Sequence, residues 1–251
     1  MLFERKQWSF PFTAIICILS VAVGAASAQA PTSGYNTRWR NSDGSTKLAM
    51  EFGGGIDSAI GPTRRSQERG WNFQMGSGYN FNRRFGLLVE YHFDHSNIPQ
   101  GFLSASYPVN YFSYYPTGPL NGPLNGNTHL WSITAEPIFH YFSTERFGGY
   151  VIGGGGFYRK LTTINSSLDS FTCRQYVAPC LASPGTQFAD NDWGLNIGTG
   201  FARRISDTSN AKFFIEARYV WVDSRPHSDY TGYLAANSRI GYIPLTGGLR
   251  W

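Results

Sequence analysis

After residue 46, apolar and polar residues alternate along most of the chain. In LAMEFGGGIDS, Leu48, Met50, Phe52 and Ile56 fall on one face of an extended strand, and Ala49, Glu51, Gly53, Gly55 and Asp57 on the other. WNFQMGSGYNFN sets Trp71, Phe73, Met75, Tyr79 and Phe81 against Asn72, Gln74, Gly76, Gly78 and Asn80. FGLLVEYHFD sets Phe85, Leu87, Val89, Tyr91 and Phe93 against Gly86, Glu90, His92 and Asp94. A period of two marks strands with one apolar and one polar face. LWSITAEPIFHY, WGLNIGTGFARR, KFFIEARYVWV and the closing GYIPLTGGLRW repeat the pattern. YVIGGGGFYRK alternates poorly through Gly153–Gly156 and is placed as a strand by its position between two others. The pattern predicts eight strands.

The connections alternate too. Short turns fall at about 82–84, 142–146 and 206–210; between them lie long segments at 95–128, 161–190 and 224–239, with a medium one at 58–70. Short turns at one rim and long loops at the other are expected of an outer-membrane barrel. The aromatics sort the same way. Strand ends beside long loops carry Trp71, Phe93, Trp131, Tyr158, Trp193 and Trp221, and the opposite ends carry Phe81, Phe85, Tyr141, Phe201, Phe213 and Trp251. Two aromatic belts one strand apart match the girdles with which membrane barrels meet the two interfaces. Trp71, Trp131, Trp193, Trp221 and Trp251 are the tryptophans expected there.

The terminal strand, with Ile243, Leu245, Gly247 and Leu249 leading to Trp251 on one face, resembles the recognition signal of bacterial outer-membrane proteins. Residues 47–251 resemble the OmpA/OmpX-type family of eight-stranded outer membrane β-barrel domains. That resemblance implies an all-β, transmembrane, antiparallel up-and-down barrel, a monomer with both termini periplasmic. It also implies engagement of the outer-membrane assembly machinery through the last strand. Pro137 and Pro244 depart from the pattern, because each removes an N–H from a predicted strand.

The start of the chain sets the compartment. Arg5 and Lys6 precede an apolar run from Phe10 to Gly24 that ends in AASAQA, the pattern of a secretory signal peptide cut after Ala28. Residues 1–28 are therefore expected to be the signal, 29–46 a polar periplasmic lead-in without periodicity, and 47–251 the barrel. Cys173 and Cys180, close together in an exported chain, read as a disulfide within one loop, worth about 2–3 kcal/mol for so short a ring. No histidine or further cysteine lies nearby to make them a zinc site. The net charge of +5 comes from scattered arginines, so no nucleic-acid-binding stripe is expected.

Candidate chemistry falls in three places. Glu51, Glu90, Glu136, Glu216, Arg218 and Arg250 lie on polar strand faces, with His92 and His140. An eight-stranded barrel is just wide enough to be filled by side chains, so these charges are expected to pair into a plug, or alternatively to gate a narrow pore. The loop sequence FLSASYPVNYFSYYPTGPLNGPLNG is rich in aromatics that could meet an extracellular ligand. Arg64, Arg65, Arg69, Arg159 and Lys160, at the long-loop rim, are candidate contacts to the phosphates of lipopolysaccharide and outer-membrane lipids. Arg83, Arg84, Arg203 and Arg204 sit beside the short turns.

Catalysis fares poorly. His95, Ser96 and Asn97 resemble the arrangement of lipid A deacylase barrels with one residue missing, and neighbours in a strand point to opposite faces. The Gly153–Gly156 run has neither the spacing nor the following helix of a dinucleotide site. The sequence thus predicts no catalytic residues, cofactor or metal. It predicts a surface-interaction or structural barrel in the outer membrane, with a narrow small-solute channel as the alternative and a lipid A-modifying enzyme a distant third.

Overall fold

A computed structural model describes residues 39–106, 124–144, 146–166, 186–206, 210–223 and 239–251. The signal segment, Cys173, Cys180 and the aromatic stretch at 107–121 lie outside these residues. Eight strands form: β1 (Leu48–Ala59), β2 (Gly70–Asn80), β3 (Phe85–Ile98), β4 (Leu124–Ser143), β5 (Phe147–Ser166), β6 (Thr186–Arg204), β7 (Lys212–Asp223) and β8 (Arg239–Arg250). Each pairs antiparallel with its neighbour in sequence, and β8 pairs with β1 to close the barrel. Closure leaves no strand edge with unpaired backbone groups, which the interior of a bilayer requires.

The two faces carry opposite chemistry. The outward face holds Phe52, Ile56, Leu87, Val89, Ile133, Val151, Leu195, Ile197, Ile215 and Leu245, all exposed. A continuous apolar band of this extent has no place on a water-soluble surface but matches a lipid-facing wall. The chain is a membrane-spanning barrel. Among the described residues no helix is long and apolar enough to cross a membrane.

Several elements differ from the sequence expectation. β4 and β5 run 20 residues and β6 runs 19, against 12 for β1. The segments 95–128 and 161–190 are therefore partly strand: β3 continues to Ile98, β4 starts at Leu124, β5 reaches Ser166 and β6 begins at Thr186. Beyond the bilayer a strand no longer needs an apolar outer face, so Asn125, Asn127, Thr162 and Thr163 extend the wall without alternation. A short helix, Gln100–Ser106, follows β3. In the 58–70 connection a 3₁₀ turn, Gly61–Arg65, opens with Pro62 and docks on β8, where Gly241 N donates to Thr63 Oγ1 at 3.0 Å.

Tyr158 also corrects the expectation. It points into the barrel and is buried, while its neighbour Phe157 faces out. Four glycines before it carry no side chains to show the phase. At the short-turn end of β4 the register shifts between His140 and Phe142, and both Tyr141 and Phe142 face outward.

The two prolines sit in interruptions of the ladder. β4–β5 pairing passes from Ala135↔Gly155 to Ile138↔Ile152, and β7–β8 pairing from Ala217↔Leu245 to Val220↔Tyr242. Pro137 and Pro244 lie in these gaps while staying in register with Leu87 of β3 and Asp57 of β1, so each interrupts one of its two ladders and keeps the other.

Residues 39–46, read as aperiodic, fold into a small hairpin on the β2–β3 turn. Arg40 bridges Thr46, and Gly44 takes a left-handed φ of +81°. Asn41 Nδ2 donates to Asn80 O at 2.8 Å, and Arg83 N donates to Asp43 Oδ2 at 2.6 Å.

Candidate functional site

The interior is built around Arg218, which is 3% exposed. Its Nη1 lies 2.6 Å from Glu90 Oε2 and 3.7 Å from Glu136 Oε1, and its Nε donates to Glu216 Oε1. Its Nη2 is 4.0 Å from Glu51 Oε1. Arg250 reaches the same cluster from β8, donating through Nε and Nη2 to Glu51 Oε2 at 2.8 and 2.5 Å, and lies 3.5 Å from Glu216 Oε2. Its guanidinium stacks 4.3 Å from the Tyr150 ring centroid and 5.0 Å from that of Phe214. Buried charges persist in this way only when paired and hydrogen-bonded.

Neutral side chains complete the network. Tyr150 OH donates to Glu216 Oε2 at 2.8 Å, Asn196 Nδ2 to Glu136 Oε1 at 2.5 Å, and Gln74 Nε2 to Glu51 Oε1 at 3.3 Å. Two glycines make the room. A Cβ at Gly76 would sit 2.8 Å from Glu90 Cγ, and one at Gly198 would sit 2.5 Å from Arg218 Cγ. All six charged residues singled out in the sequence therefore meet in one layer. Tyr150, Asn196 and Gln74 were not singled out; Gln74 lay visibly on a polar face, whereas Tyr150 belongs to the strand whose phase the glycine run hides.

Glu90, His92 and Glu136 lie close enough together to suggest a metal site. Arg218 Nη1 already stands between them, 2.6 Å from Glu90, 3.7 Å from Glu136 and 3.2 Å from His92 Nε2. A fixed guanidinium fills the position a cation would take.

The lumen is not polar throughout, as the sequence suggested. Stepping one inward position toward the short turns from Glu51, Glu90, Glu136 and Glu216 reaches Ala49, Leu88, Ile138 and Phe214, which cluster with Tyr150, Ile152 and Ala202. Toward the long loops the buried polar residues His92, Asp94, Ser132, Thr134 and Thr246 share the interior with a second cluster, Leu130, Tyr158, Val220, Val222, Ile240 and Tyr242. The charges rest on an apolar floor and lie beneath a mixed polar and apolar filling. Higher still, Leu103 of the short helix, 1% exposed, packs on Ile98 and Ile164 with Phe102 beside them.

At the long-loop rim Arg64, Arg65 and Arg69 are exposed. Arg159 points outward, but Lys160 turns inward opposite Asp190, so the two do not share a surface. The tryptophans Trp71, Trp193 and Trp221 are exposed on the outer wall, with Trp193 at 74%. Rings continue around it: Trp71–Phe93 at 5.5 Å, Tyr91–Trp131 at 6.5 Å, Trp131–Phe157 at 5.7 Å and Phe157–Trp193 at 6.3 Å. Trp251 pairs with Met50, its N–H donating to Met50 O at 2.8 Å. Ser96 is buried inside the wall while His95 stacks outside on Trp71, so they form no base–nucleophile pair.

Eight strands in sequential order, closed by β1 and β8 and wrapped in an apolar band, are the architecture of OmpA/OmpX-type barrels. The chain has that fold.

No protein-family model matches the sequence, and no curated protein does. Among solved structures it is similar to Neisserial surface protein A, at 12% identity over 81% of this chain and 95% of that one, with a TM-score of 0.48. It is also similar to Ail of Yersinia pestis, solved with the heparin analogue sucrose octasulfate, at 14% identity over 82% and 97%, TM-score 0.41. OprG of Pseudomonas aeruginosa aligns at 15% identity over 81% and 94%, TM-score 0.40.

Proposed function

We propose that this chain is a bacterial outer-membrane scaffold with a sealed lumen, which works at the cell surface through its long-loop rim rather than by conducting solutes. The observation that carries this reading is the layered interior: Arg218 and its carboxylates rest on a floor of buried apolar side chains. Water and ions would have to cross the tightly paired charges and then the apolar floor of Leu88, Ile138, Tyr150, Ile152 and Phe214. In the same reading residues 1–28 are the export signal and the last strand, ending at Trp251, is the handle for assembly. Cys173 and Cys180 staple the third loop, and the rim tryptophans sit at the headgroups. The exposed Arg64, Arg65, Arg69 and Arg159 face the phosphates of the outer leaflet, where guanidinium binds bidentately.

The experiment is a planar-bilayer recording of the purified chain beside Leu88→Ala/Ile138→Ala, which thins the apolar floor. A silent wild type is expected. A steady wild-type conductance that changes when Glu90 and Arg218 are replaced by glutamine would overturn the sealed scaffold and establish the narrow channel.

A further inference from the structure

The register of β3 against β4 brings together two histidines that lie far apart in sequence. His95 and His129 are direct partners across the two strands, both on the outer face at the long-loop rim. Their ring centroids are 4.8 Å apart with the planes inclined at 55°. Each ring is braced from the side, His95 by Trp71 at 5.7 Å and His129 by Phe93 at 5.6 Å. The next outward rung pairs Asn97 with Asn127, so the pair opens on polar surface, one rung beyond the ring of Phe93 and Trp131.

We propose that His95 and His129 form a chelate for a divalent transition-metal ion, with Cu²⁺ the tightest and Ni²⁺ and Zn²⁺ following. Imidazole nitrogen binds such ions at about 2.0–2.1 Å, which puts the ion roughly 3.2 Å from each ring centroid. Two ligands meeting at angles between square and tetrahedral then place the centroids roughly 4.5–5.2 Å apart. The observed 4.8 Å falls inside that window. Directly opposed residues on one face of an antiparallel pair share a fixed separation, and the flanking aromatic rings limit how far either imidazole can swing. The separation of the two rings is therefore set before an ion arrives. Imidazole suits Cu²⁺, Ni²⁺ and Zn²⁺ over Mg²⁺ or Ca²⁺, and water or the amide oxygens of Asn97 and Asn127 complete the coordination.

The test is titration of the full chain, purified from membranes in detergent, with Cu²⁺ while tryptophan fluorescence is followed, since Trp71 lies against His95. Saturable binding of one ion per chain is expected, with two imidazole nitrogens in the copper electron paramagnetic resonance spectrum. His95→Asn and His129→Asn should each weaken binding at least tenfold, whereas His140→Asn, at the short-turn end of β4, should leave it unchanged. Heat-dependent gel mobility confirms that each variant is a folded barrel. Affinity unchanged within twofold in both the His95 and His129 variants, or lost in the His140 variant, would overturn the proposal.

Discussion

Arg250 and Glu51 are separated by 199 positions in the chain and joined by two hydrogen bonds, through Nε at 2.8 Å and Nη2 at 2.5 Å. They sit across the β1–β8 seam, where Glu51 and Arg250 are also backbone partners. The seam that closes the barrel is thus fastened by charge as well as by its ladder.

Replacing Arg250 by methionine leaves Glu51 buried with its nearest counter-charge gone. Such a break costs about 3–5 kcal/mol, while replacing both partners is far milder. Urea unfolding in lipid vesicles should show a large loss for Arg250→Met and recovery of most of it in Glu51→Gln/Arg250→Met. Equal midpoints for Arg250→Met and wild type would mean that the bond does not hold the seam.

Two glycines should respond very differently to a methyl group. At Gly154 a Cβ overlaps the carbonyl oxygen of Ala135 and lies 2.8 Å from Glu136 Oε2, so β4 and β5 would have to part. Gly154→Ala should cost about 2–3 kcal/mol, in the range of forced overpacking. At Gly247 the nearest atoms are 3.7 Å away, and Gly247→Ala should stay within about 0.5 kcal/mol of wild type, as ordinary surface changes do.

Ile197 lies midway along β6 between Phe201 at the short-turn rim and Trp193 at the long-loop rim, facing outward and 61% exposed. If that wall meets lipid, Ile197→Arg should cost about 2–4 kcal/mol in a bilayer, the penalty for arginine near the midplane. The same change on a water-facing strand would be nearly neutral. Vesicle unfolding of the variant distinguishes the two directly.

Asp43 is only partly exposed, and its carboxyl is held below the usual carboxylate value, first by the Ser45 hydroxyl, which donates to Oδ1 at 2.6 Å, and then by the Ser45 backbone N–H at 2.9 Å. A depressed value means that the contribution is present above the ordinary carboxylate range of about 3.9 and is lost as pH falls through the folded value. Limited proteolysis at 39–46 should therefore be flat from neutral pH down to about 4 and rise below it. Asp43→Asn should raise cleavage already at neutral pH and remove the acid dependence.

The barrel was legible because lipid outside and a filled lumen inside impose alternation on every spanning strand, and Phe52, Val89, Ile133, Ile197 and Leu245 write it plainly. The six charged residues of the interior were legible for the same reason, since parity alone sends them inward. The layering was not. Leu88, Ile138, Val220 and Ile240 are apolar residues at inward positions, and neither their type nor their parity reveals a stack until the tilt of the strands sets their heights. The phase of Tyr158 was lost across Gly153–Gly156, and the continuation of β4 through Asn125–Thr128 was lost because a strand in water obeys no lipid rule. His95 and His129 could not be paired in advance, because the register across the β3–β4 pair depends on a connection whose length does not determine it.

The unequal strands give the barrel a tall side and a low side. Above the charge layer β4 runs from Glu136 up to Leu124 and β1 only from Glu51 to Ala59, four residues less, so at about 3.3 Å per residue on strands tilted near 40° the tall wall stands roughly 10 Å above its opposite. A sugar-covered bilayer would bury the low arc while the parapet of β4, β5 and β6 cleared it. Any molecule arriving from outside would then meet one flank of the cylinder first, giving a symmetric-looking fold a built-in front and back.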